Sequence, residues 1–460
     1  MKRSILVLIL LRLLLSPSFA ATKYVTQSGS GKADGSGAMN PMSVAAFNAA
    51  SFSAGDTISF SGTITSKVTI PSGGSSGNRI TYNFSGATVG TTTGTRINLN
   101  GKSHLNLFGG TFAAAPELFQ SCIYDGEVTT VSDIVVSGWT FDAGSGASAV
   151  FLAFSGTANP VDITVENNTI DNVMRFVATY AQGDNFIIRN NYARSTEEEG
   201  SVDPANFQAD LIFLASARTV TISGNKLINR SPSGGNNHSD PIQSFSSGRR
   251  SPHGWIVKHN WIEMATGGDS AWLTMEDWTG GVDGLKAFGN VFVGEKGSAN
   301  IGINVSFQVN PNARIYLYNN TFIRRNNPSS TVRIDNVNID LYAKNNIVWA
   351  SSSTSSSIYV GGASPHWVSV NYNFTYNNRD TPSQWTGANG SNSTNPLFEN
   401  TGSNQFWLSS GSKLIGAGDN SIGSEYEYGI APGATWPNPT LVARSGAWDV
   451  GAYVSTAGGR

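Results

Sequence analysis

The sequence is poor in cysteine and in charged residues. Cys122 is the only cysteine among 460 residues, so no disulfide can form within the chain. Charged residues make up 13% of the chain, about half the usual share, and the formal net charge is −2. This balance gives no electrostatic basis for binding nucleic acid or an anionic membrane, and neither is expected as a partner. The rigidity of so long a chain must come from its backbone architecture.

Long apolar runs are missing as well, because no segment has the length needed to span a bilayer. Residues 1–20 instead have the form of a secretory signal peptide. Two basic residues and a short apolar run precede the small-x-small cleavage site Ser18-Phe19-Ala20. We therefore expect a mature chain that begins at residue 21, is secreted to the extracellular space or periplasm, and is monomeric.

The chain also lacks the long 3.6-residue periodicity of helical repeats, but it repeats itself in another way. Stretches such as "VDITVENNTIDN", "TVTISGNKLIN" and "RIYLYNNTFIRR" share an asparagine marker, and successive markers are 23 to 35 residues apart. The markers are Asn168, Asn191, Asn225, Asn260, Asn290, Asn320 and Asn346, with a further one at Asn373.

Each repeat has the pattern of a strand, a tight turn and a second strand. Apolar residues lie three and five positions before the marker and two positions after it, which is the period of a strand. A third apolar segment follows in a stretch of variable length. Three short strands per repeat predict an all-β solenoid of about ten stacked coils. The marker asparagine tolerates a left-handed turn, and stacked asparagines can bond to one another.

These repeats, with the segments 45–64, 395–418 and 448–453, resemble the right-handed parallel β-helix proteins of the pectate-lyase-like superfamily. The resemblance implies one domain over 21–460, in which an N-terminal cap (about 21–75), coils (about 76–380) and a C-terminal closure (about 390–455) follow one another. It also implies three strands per coil, named PB1, PB2 and PB3, with the asparagine turn between PB2 and PB3. In this superfamily a polysaccharide lies in a groove along PB1.

Histidine and charge gather in the segment 233–260, around the predicted PB1 strand 241–246. The neighbouring PB1 strands are predicted at 210–216 and 271–277. We therefore place the candidate residues along this groove. The candidates for catalysis are His238, Asp240, Arg250 and His253; those for substrate binding are Gln243, Arg249, Trp272, Glu276 and Asp277; possible Ca²⁺ ligands are Glu198, Glu199 and Asp240.

Two kinds of chemistry fit these residue types. A lyase acting on a uronic-acid polysaccharide needs a base such as histidine and a cation that neutralises the carboxylate, either arginine or Ca²⁺. A glycoside hydrolase needs two carboxylates, which Asp240 and Glu276 or Asp277 can supply from adjacent coils. Lyase action is the first hypothesis. Hydrolysis, uronate epimerisation and non-catalytic carbohydrate binding or adhesion remain as alternatives, because the family motifs specify the scaffold and not the reaction.

Overall fold

The strands of the computed structural model stack in parallel, each pairing with the strand one repeat earlier. They form a sheet of 24 strands and a second sheet of 11 strands. The arrangement is the predicted parallel β-helix. The structure describes residues 20–90, 94–113, 121–127, 129–144, 149–155, 159–180, 182–195, 210–230, 239–244, 252–264, 271–276, 283–294, 303–306, 313–325, 331–334, 339–352, 358–360, 365–378 and 381–455, with the backbone alone at 276, 283, 304–306 and 358–360.

The 11-stranded sheet contains the PB1 strands, and it includes all three PB1 strands that the sequence predicts in the central coils. Its strands are β4 (Val68–Thr69), β6 (Ile97–Asn98), β9 (Ser121–Asp125), β12 (Val150–Phe154), β15 (Arg175–Thr179), β18 (Ile212–Leu214), β21 (Ile242–Ser244), β24 (Leu273–Glu276), β27 (Ile303–Ser306), β30 (Val332–Ile334) and β33 (Ile358–Val360).

The 24-stranded sheet contains the strands on both sides of the asparagine turn. The PB2 side has β1 (Thr22–Thr26), β3 (Thr57–Ile64), β5 (Ile80–Val89), β7 (Leu105–Phe108), β10 (Ser132–Ser137), β13 (Val161–Glu166), β16 (Gly183–Arg189), β19 (Ala217–Ser223), β22 (His253–Lys258), β25 (Asp283–Phe288), β28 (Ala313–Tyr318), β31 (Ile339–Lys344) and β34 (His366–Asn371). The PB3 side has β8 (Thr111–Phe112), β11 (Thr140–Asp142), β14 (Thr169–Val173), β17 (Tyr192–Ser195), β20 (Lys226–Asn229), β23 (Trp261–Met264), β26 (Val291–Gly294), β29 (Thr321–Arg324), β32 (Ile347–Ala350) and β35 (Phe374–Tyr376), together with the short β2 (Met42–Ser43).

Alternation along each strand fills the interior. In β13, Ile163 and Val165 are fully buried, and the register places them between Ile134 and Val136 of β10 and the equivalent residues of β16. Aromatic rings stack in the same way, as Phe292 and Phe322 do with ring centroids 4.9 Å apart. Since each fully buried aliphatic or aromatic side chain stabilises the fold by roughly 1.5–3 kcal/mol, the continuous core is the main source of rigidity.

The marker asparagines form the predicted ladder. All eight are at most 1% exposed, and the side-chain amides of the first seven each donate to the side-chain oxygen of the next, over 2.8–3.1 Å. The same amide donates to a carbonyl of the preceding coil, as Asn260 does to Ile222 O. The left-handed conformation expected at the marker asparagine was assigned to the wrong residue. The left-handed conformation belongs to the residue before the marker, such as Asn167 (φ 56°) or His259 (φ 54°).

Helices close the two ends of the core. Helix α1 (Val44–Asn48) places Phe47 over the first coils, where its ring contacts Phe60 and Tyr82. Helix α2 (Ser383–Thr386) places the fully buried Trp385 at the other end, and its carbonyl accepts a hydrogen bond from Asn373, the last asparagine of the ladder. Neither helix, nor any other in the described residues, is long and apolar enough to cross a membrane.

The segment 395–455, here called the C-terminal tail, runs back along the outside of the asparagine turns. It includes the hairpins β36 (Phe398–Asn400) with β37 (Gln405–Leu408) and β38 (Tyr428–Ile430) with β39 (Leu441–Ala443), and the short 3-10 helices Thr401–Ser403 and Ser424–Tyr426. The ring Nε2 of His259 lies 3.2 Å from Tyr428 O, and Trp436 donates to the carbonyl of His259. The tail therefore covers the turn side of the solenoid around His259.

Candidate functional site

The outward face of the PB1 sheet is the surface on which the sequence places the groove. Ile212 and Leu214 of β18 point into the core, so Phe213 between them faces outward. The strand register continues this outward row along the coils from β9 to β30. In order, the described side chains of the row are Tyr124, Ala153, Ala178, Phe213, Gln243, Thr274 and Arg333.

The first half of this row is apolar. Ala153, Ala178 and Phe213 pack together with Val150 and Met174 into a cluster of their own. The guanidinium carbon of Arg175 lies 4.2 Å from the centroid of the Phe213 ring and adds a cation–π contact. This part of the face is therefore a second, outer core and has few groups with which to hold a sugar.

The row becomes polar at Gln243. This side chain is only 3% exposed, and its amide oxygen has no hydrogen-bond partner among the described residues. Thr274 follows in the next coil, and Arg333 occupies the same row two coils later. Gln243, predicted to bind substrate, thus lies on the expected strand and on its outward side. A buried amide oxygen without a partner is unfavourable unless a ligand or water supplies a donor.

Asp240 lies just before β21 but does not face a groove. It is 1% exposed, and its Oδ1 accepts a hydrogen bond of 2.6 Å from the backbone N–H of Ala271 in the next coil. Asp210, one coil earlier, accepts from the backbone N–H of Asp240 at 2.8 Å. These aspartates join successive coils at the entrance to PB1. The expected position of Asp240 on an open groove surface is therefore corrected: its carboxylate bonds the backbone instead.

Trp272 was expected to offer an aromatic face to a sugar, and this prediction was wrong. The residue is 2% exposed and belongs to the core, where its ring centroid lies 5.5 Å from that of Phe292. Its indole nitrogen donates to Val293 O over 3.0 Å. The strand alternation explains this placement, because a large ring one residue before β24 fills the space above the neighbouring PB3 strands.

His253 begins β22 and therefore lies on the PB2 side and not beside PB1, which corrects the groove position expected for it. It is in register with Arg218 of the preceding coil and is half-buried. Glu276 ends β24 of the PB1 sheet, as predicted, and its side chain is not described. The remaining candidates lie outside the described residues: His238, Arg249, Arg250, Asp277, Glu198 and Glu199.

The sequence analysis named Ca²⁺ as a candidate cofactor. Within the described part of the chain, no group of three or more His, Cys, Asp or Glu side chains has the geometry to hold a metal ion. Of the three predicted ligands, only Asp240 is described, and its Oδ1 is engaged by Ala271 N–H. A calcium site that uses Glu198 and Glu199 stays a prediction.

A second polar site, which the sequence reasoning missed, lies at the entrance to PB2 in the N-terminal coils. We call it the PB2 cavity. It encloses about 490 Å³ and is lined by Ser76, Gly77, Arg79, His104, Asn106, Ser132, Asp133 and Asp162. Arg79 donates to Asp133 through Nε at 2.8 Å and also through Nη2, and the Nδ1 of His104 lies 2.9 Å from the other oxygen of Asp133.

The PB2 cavity follows from a column of left-handed residues. His104 (φ 59°) directly precedes β7, while Asp133 (φ 58°) and Asp162 (φ 56°) are the second residues of β10 and β13, and the register stacks all three coil on coil. Asn, Asp and His tolerate this conformation better than other side chains do. A polar residue directly before the apolar alternation of "LNLF", "IVVS" and "ITVE" was therefore a readable signal. The hydrogen bonds from Arg79 hold the pKa of the Asp133 carboxyl below its usual value, so this carboxylate stays charged.

Comparison with known proteins identifies the fold. No family model matches the sequence, and a search of curated proteins finds no match. A GH136 lacto-N-biosidase from Eubacterium ramulus has a similar structure, with a TM-score of 0.50 at 9% identity over 77% of this chain and 68% of that chain. At this identity the likeness shows the fold alone, the right-handed parallel β-helix.

Two further solved structures resemble the chain less closely. Pectate lyase Pel9A has a TM-score of 0.46 at 17% identity, over 95% of this chain and 97% of that chain. A complex of XylC with xylose has a TM-score of 0.45 at 10% identity, over 82% and 87%.

Proposed function

We propose that the protein is a secreted carbohydrate-active enzyme that cleaves an acidic polysaccharide by β-elimination along the polar half of the PB1 face. One observation carries the proposal. The outward row of PB1 changes from a packed apolar cluster to polar side chains at Gln243, and its one charged residue among the described side chains is a cation, Arg333. A hydroxyl-rich, anionic chain is the partner that suits such a surface.

The geometry of the coils fits an extended substrate. Neighbouring PB1 strands repeat every ~4.8 Å, so the polar row offers one side chain per coil along a straight line. The sequence between the strands of these coils is long, at 196–211, 230–241 and 245–252. Loops that follow one another along one side of a solenoid are the usual walls of a binding groove.

Elimination needs a base and a cation. The base removes the proton on C5 of the uronate, the electron pair forms the C4–C5 double bond, and the C4–O bond breaks as the departing sugar oxygen takes a proton. A cation must neutralise the uronate carboxylate so that the C5 proton becomes acidic, and the guanidinium of Arg333 suits this task. His238 as the base and Arg249 and Arg250 as further carboxylate ligands stay predictions.

Hydrolysis is the weaker candidate on the described residues. A glycoside hydrolase needs two carboxyl groups that flank the bond. Asp240 was the first of these, and its carboxylate is buried and bonded to backbone N–H. The described outward side chains beyond it, Gln243, Thr274 and Arg333, include no carboxyl group.

The test is the appearance of the unsaturated uronide, read by its ultraviolet absorbance. Purified protein is incubated with alginate, pectate, chondroitin, hyaluronan and glucuronan, each with Ca²⁺ and with a chelator. A rise with one polymer, lost in Arg333→Ala and retained in the tail variant Lys413→Ala, supports the proposal. Release of reducing ends without a rise in absorbance would replace it with hydrolysis, and no product from any polymer would replace it with binding alone.

A further inference from the structure

We infer that the PB2 cavity is a separate binding site for a neutral sugar, independent of the proposed lyase activity on PB1. Its lining is mostly polar, with hydroxyl, amide, imidazole, guanidinium and carboxylate groups around about 490 Å³. Cavities of this size hold ligands of one or two sugar rings, and paired donors and acceptors at close range suit sugar hydroxyls.

His104 is held in position by a hydrogen bond at one of its two ring nitrogens. Its Nδ1 faces the Asp133 carboxylate at 2.9 Å, and because a charged carboxylate only accepts, Nδ1 carries the proton. The other ring nitrogen, Nε2, has no hydrogen-bond partner in the part of the chain that the structure describes. A hydrogen bond between Nε2 and a sugar hydroxyl would complete the site.

Asp133 is fixed on its other side by Arg79, whose Nη1 also lies 3.4 Å from Asn106 Oδ1. These contacts join three successive coils and leave the imidazole little freedom. A preorganised acceptor loses less entropy when it binds a ligand than a mobile surface side chain does.

The charge of the PB2 cavity selects against a uronate. Asp133 and Asp162 contribute two carboxylates, and Arg79 contributes one guanidinium that is already paired with Asp133. One oxygen of Asp162 accepts from Asn185, and the excess negative charge repels an acidic sugar. The PB2 cavity and the PB1 row therefore differ in the sugar they suit, neutral in the first and acidic in the second.

A second histidine–aspartate pair provides a matched control. His366 Nδ1 lies 3.2 Å from Asp340 Oδ1 at the entrance to the last PB2 strand, and its side chain is 64% exposed. This pair resembles the His104–Asp133 pair in its residue types and hydrogen bond, but His366 does not line the PB2 cavity.

The experiment measures binding of cellobiose, lactose and maltose by saturation-transfer NMR and calorimetry, with galacturonate as the acidic comparison. We expect at least one neutral disaccharide to bind the wild-type chain and to bind His104→Asn about tenfold more weakly, since the loss of one hydrogen bond of ~1.4 kcal/mol has this effect. Asparagine retains the tolerance of left-handed backbone that position 104 requires.

His366→Asn and Gln243→Met should bind the neutral sugar as the wild type does. Asp162→Asn serves as a second cavity variant, with thermal unfolding as the folding check, and it should weaken the neutral sugar while improving galacturonate. The inference is overturned if no neutral disaccharide binds, or if His104→Asn and His366→Asn bind it equally. Loss of lyase activity in Gln243→Met without loss of this binding would separate the two sites.

Discussion

Buried side-chain amides lie on two opposite sides of the solenoid, and they differ in whether they have hydrogen-bond partners. On the turn side, Asn191 is fully buried, and its side chain bonds to Asn168, to Asn225 and to backbone groups of neighbouring coils. On the PB1 side, Gln243 is almost as deeply buried, yet its amide oxygen has no hydrogen-bond partner among the described residues. Burial of the same chemical group therefore serves stability on one side and leaves unsatisfied bonding capacity on the other.

This difference separates structure from function along the solenoid. The turn side repeats with nearly constant chemistry and is covered around His259 by the C-terminal tail. The PB1 face changes its chemistry from coil to coil, from Phe213 to Gln243 to Thr274. A solenoid can vary one face freely because the other side and the core hold the coils together.

We expect the largest change in the free energy of unfolding when one amide of the asparagine ladder is removed. Asn191→Ala leaves the backbone and side-chain amides of neighbouring coils buried without partners, and each such group costs about 1–3 kcal/mol. We expect the free energy of unfolding to fall by roughly 3–5 kcal/mol, measured by urea or guanidinium denaturation.

The control is a substitution at the residue that precedes a ladder asparagine in the sequence. Asn167 precedes Asn168, is exposed, and has a φ of 56° that glycine adopts without strain. Asn167→Gly should change the free energy of unfolding by less than about 1 kcal/mol. A loss as large as that of Asn191→Ala would mean that turn geometry and not the ladder stabilises this side.

The second prediction concerns the pH dependence of the free energy of unfolding, which arises at His259 beneath the C-terminal tail. Burial between the coils and the tail lowers the pKa of His259 from 6.5 to about 4. The unfolded chain thus takes up this proton more readily than the folded chain does. The stability that depends on the neutral ring is complete above the unfolded pKa and is lost as the pH falls from about 6.5 to about 4.

The shift in the pKa of His259 corresponds to roughly 3 kcal/mol over that range. Thermal and urea unfolding between pH 7 and pH 4 should show this loss, in addition to any contribution from carboxylates. His259→Asn, which keeps a side chain suited to a φ of 54°, should show a flatter profile. Identical slopes in the two proteins would contradict the assignment.

The third effect tests whether burial, and not mere position on the turn side, gives the ladder its strength. Arg189 and Glu166 form an ion pair of 2.6 Å close to the ladder but at the surface, where the arginine is half exposed. Arg189→Ala should lower the free energy of unfolding by under about 1 kcal/mol, and less in high salt. A loss comparable with that of Asn191→Ala would remove the contrast between buried and exposed pairs.

Much of the fold could be read from the sequence, because the asparagine spacing and the period-two apolar residues both report on repeated local geometry. The PB1, PB2 and PB3 strands of the central coils lie where the repeats predict them. The left-handed residue was misplaced by one position, since asparagine occurs at both positions in "ENNT" and "RNNY" and the pattern alone does not separate them.

The site was harder to predict, for a physical reason. A charged or aromatic residue near PB1 can point outward or inward, and a shift of one residue reverses its direction. Trp272 and Asp240 lie next to the predicted PB1 strands, but both side chains are buried and do not face a groove. The PB2 cavity was missed because Arg79, His104 and Asp133 are distant in sequence and meet only through stacking of the coils.

The smallest expected effect on stability is the most informative for function. Gln243→Met replaces the amide by an apolar group of similar volume, and since the amide oxygen makes no hydrogen bond among the described residues, little is lost. We expect a change in the free energy of unfolding within about 0.5 kcal/mol, and a gain is possible because an unpaired polar atom is removed.

Turnover of the acidic polymer should instead fall about tenfold in Gln243→Met, because the outward row loses its first polar contact. Kinetics on the polymer identified by the ultraviolet assay, together with denaturation of the same sample, measure both quantities. Loss of stability without loss of turnover would place Gln243 among the structural amides. Loss of turnover alone means that the unsatisfied oxygen is retained because a substrate satisfies it, as the ladder amides satisfy one another.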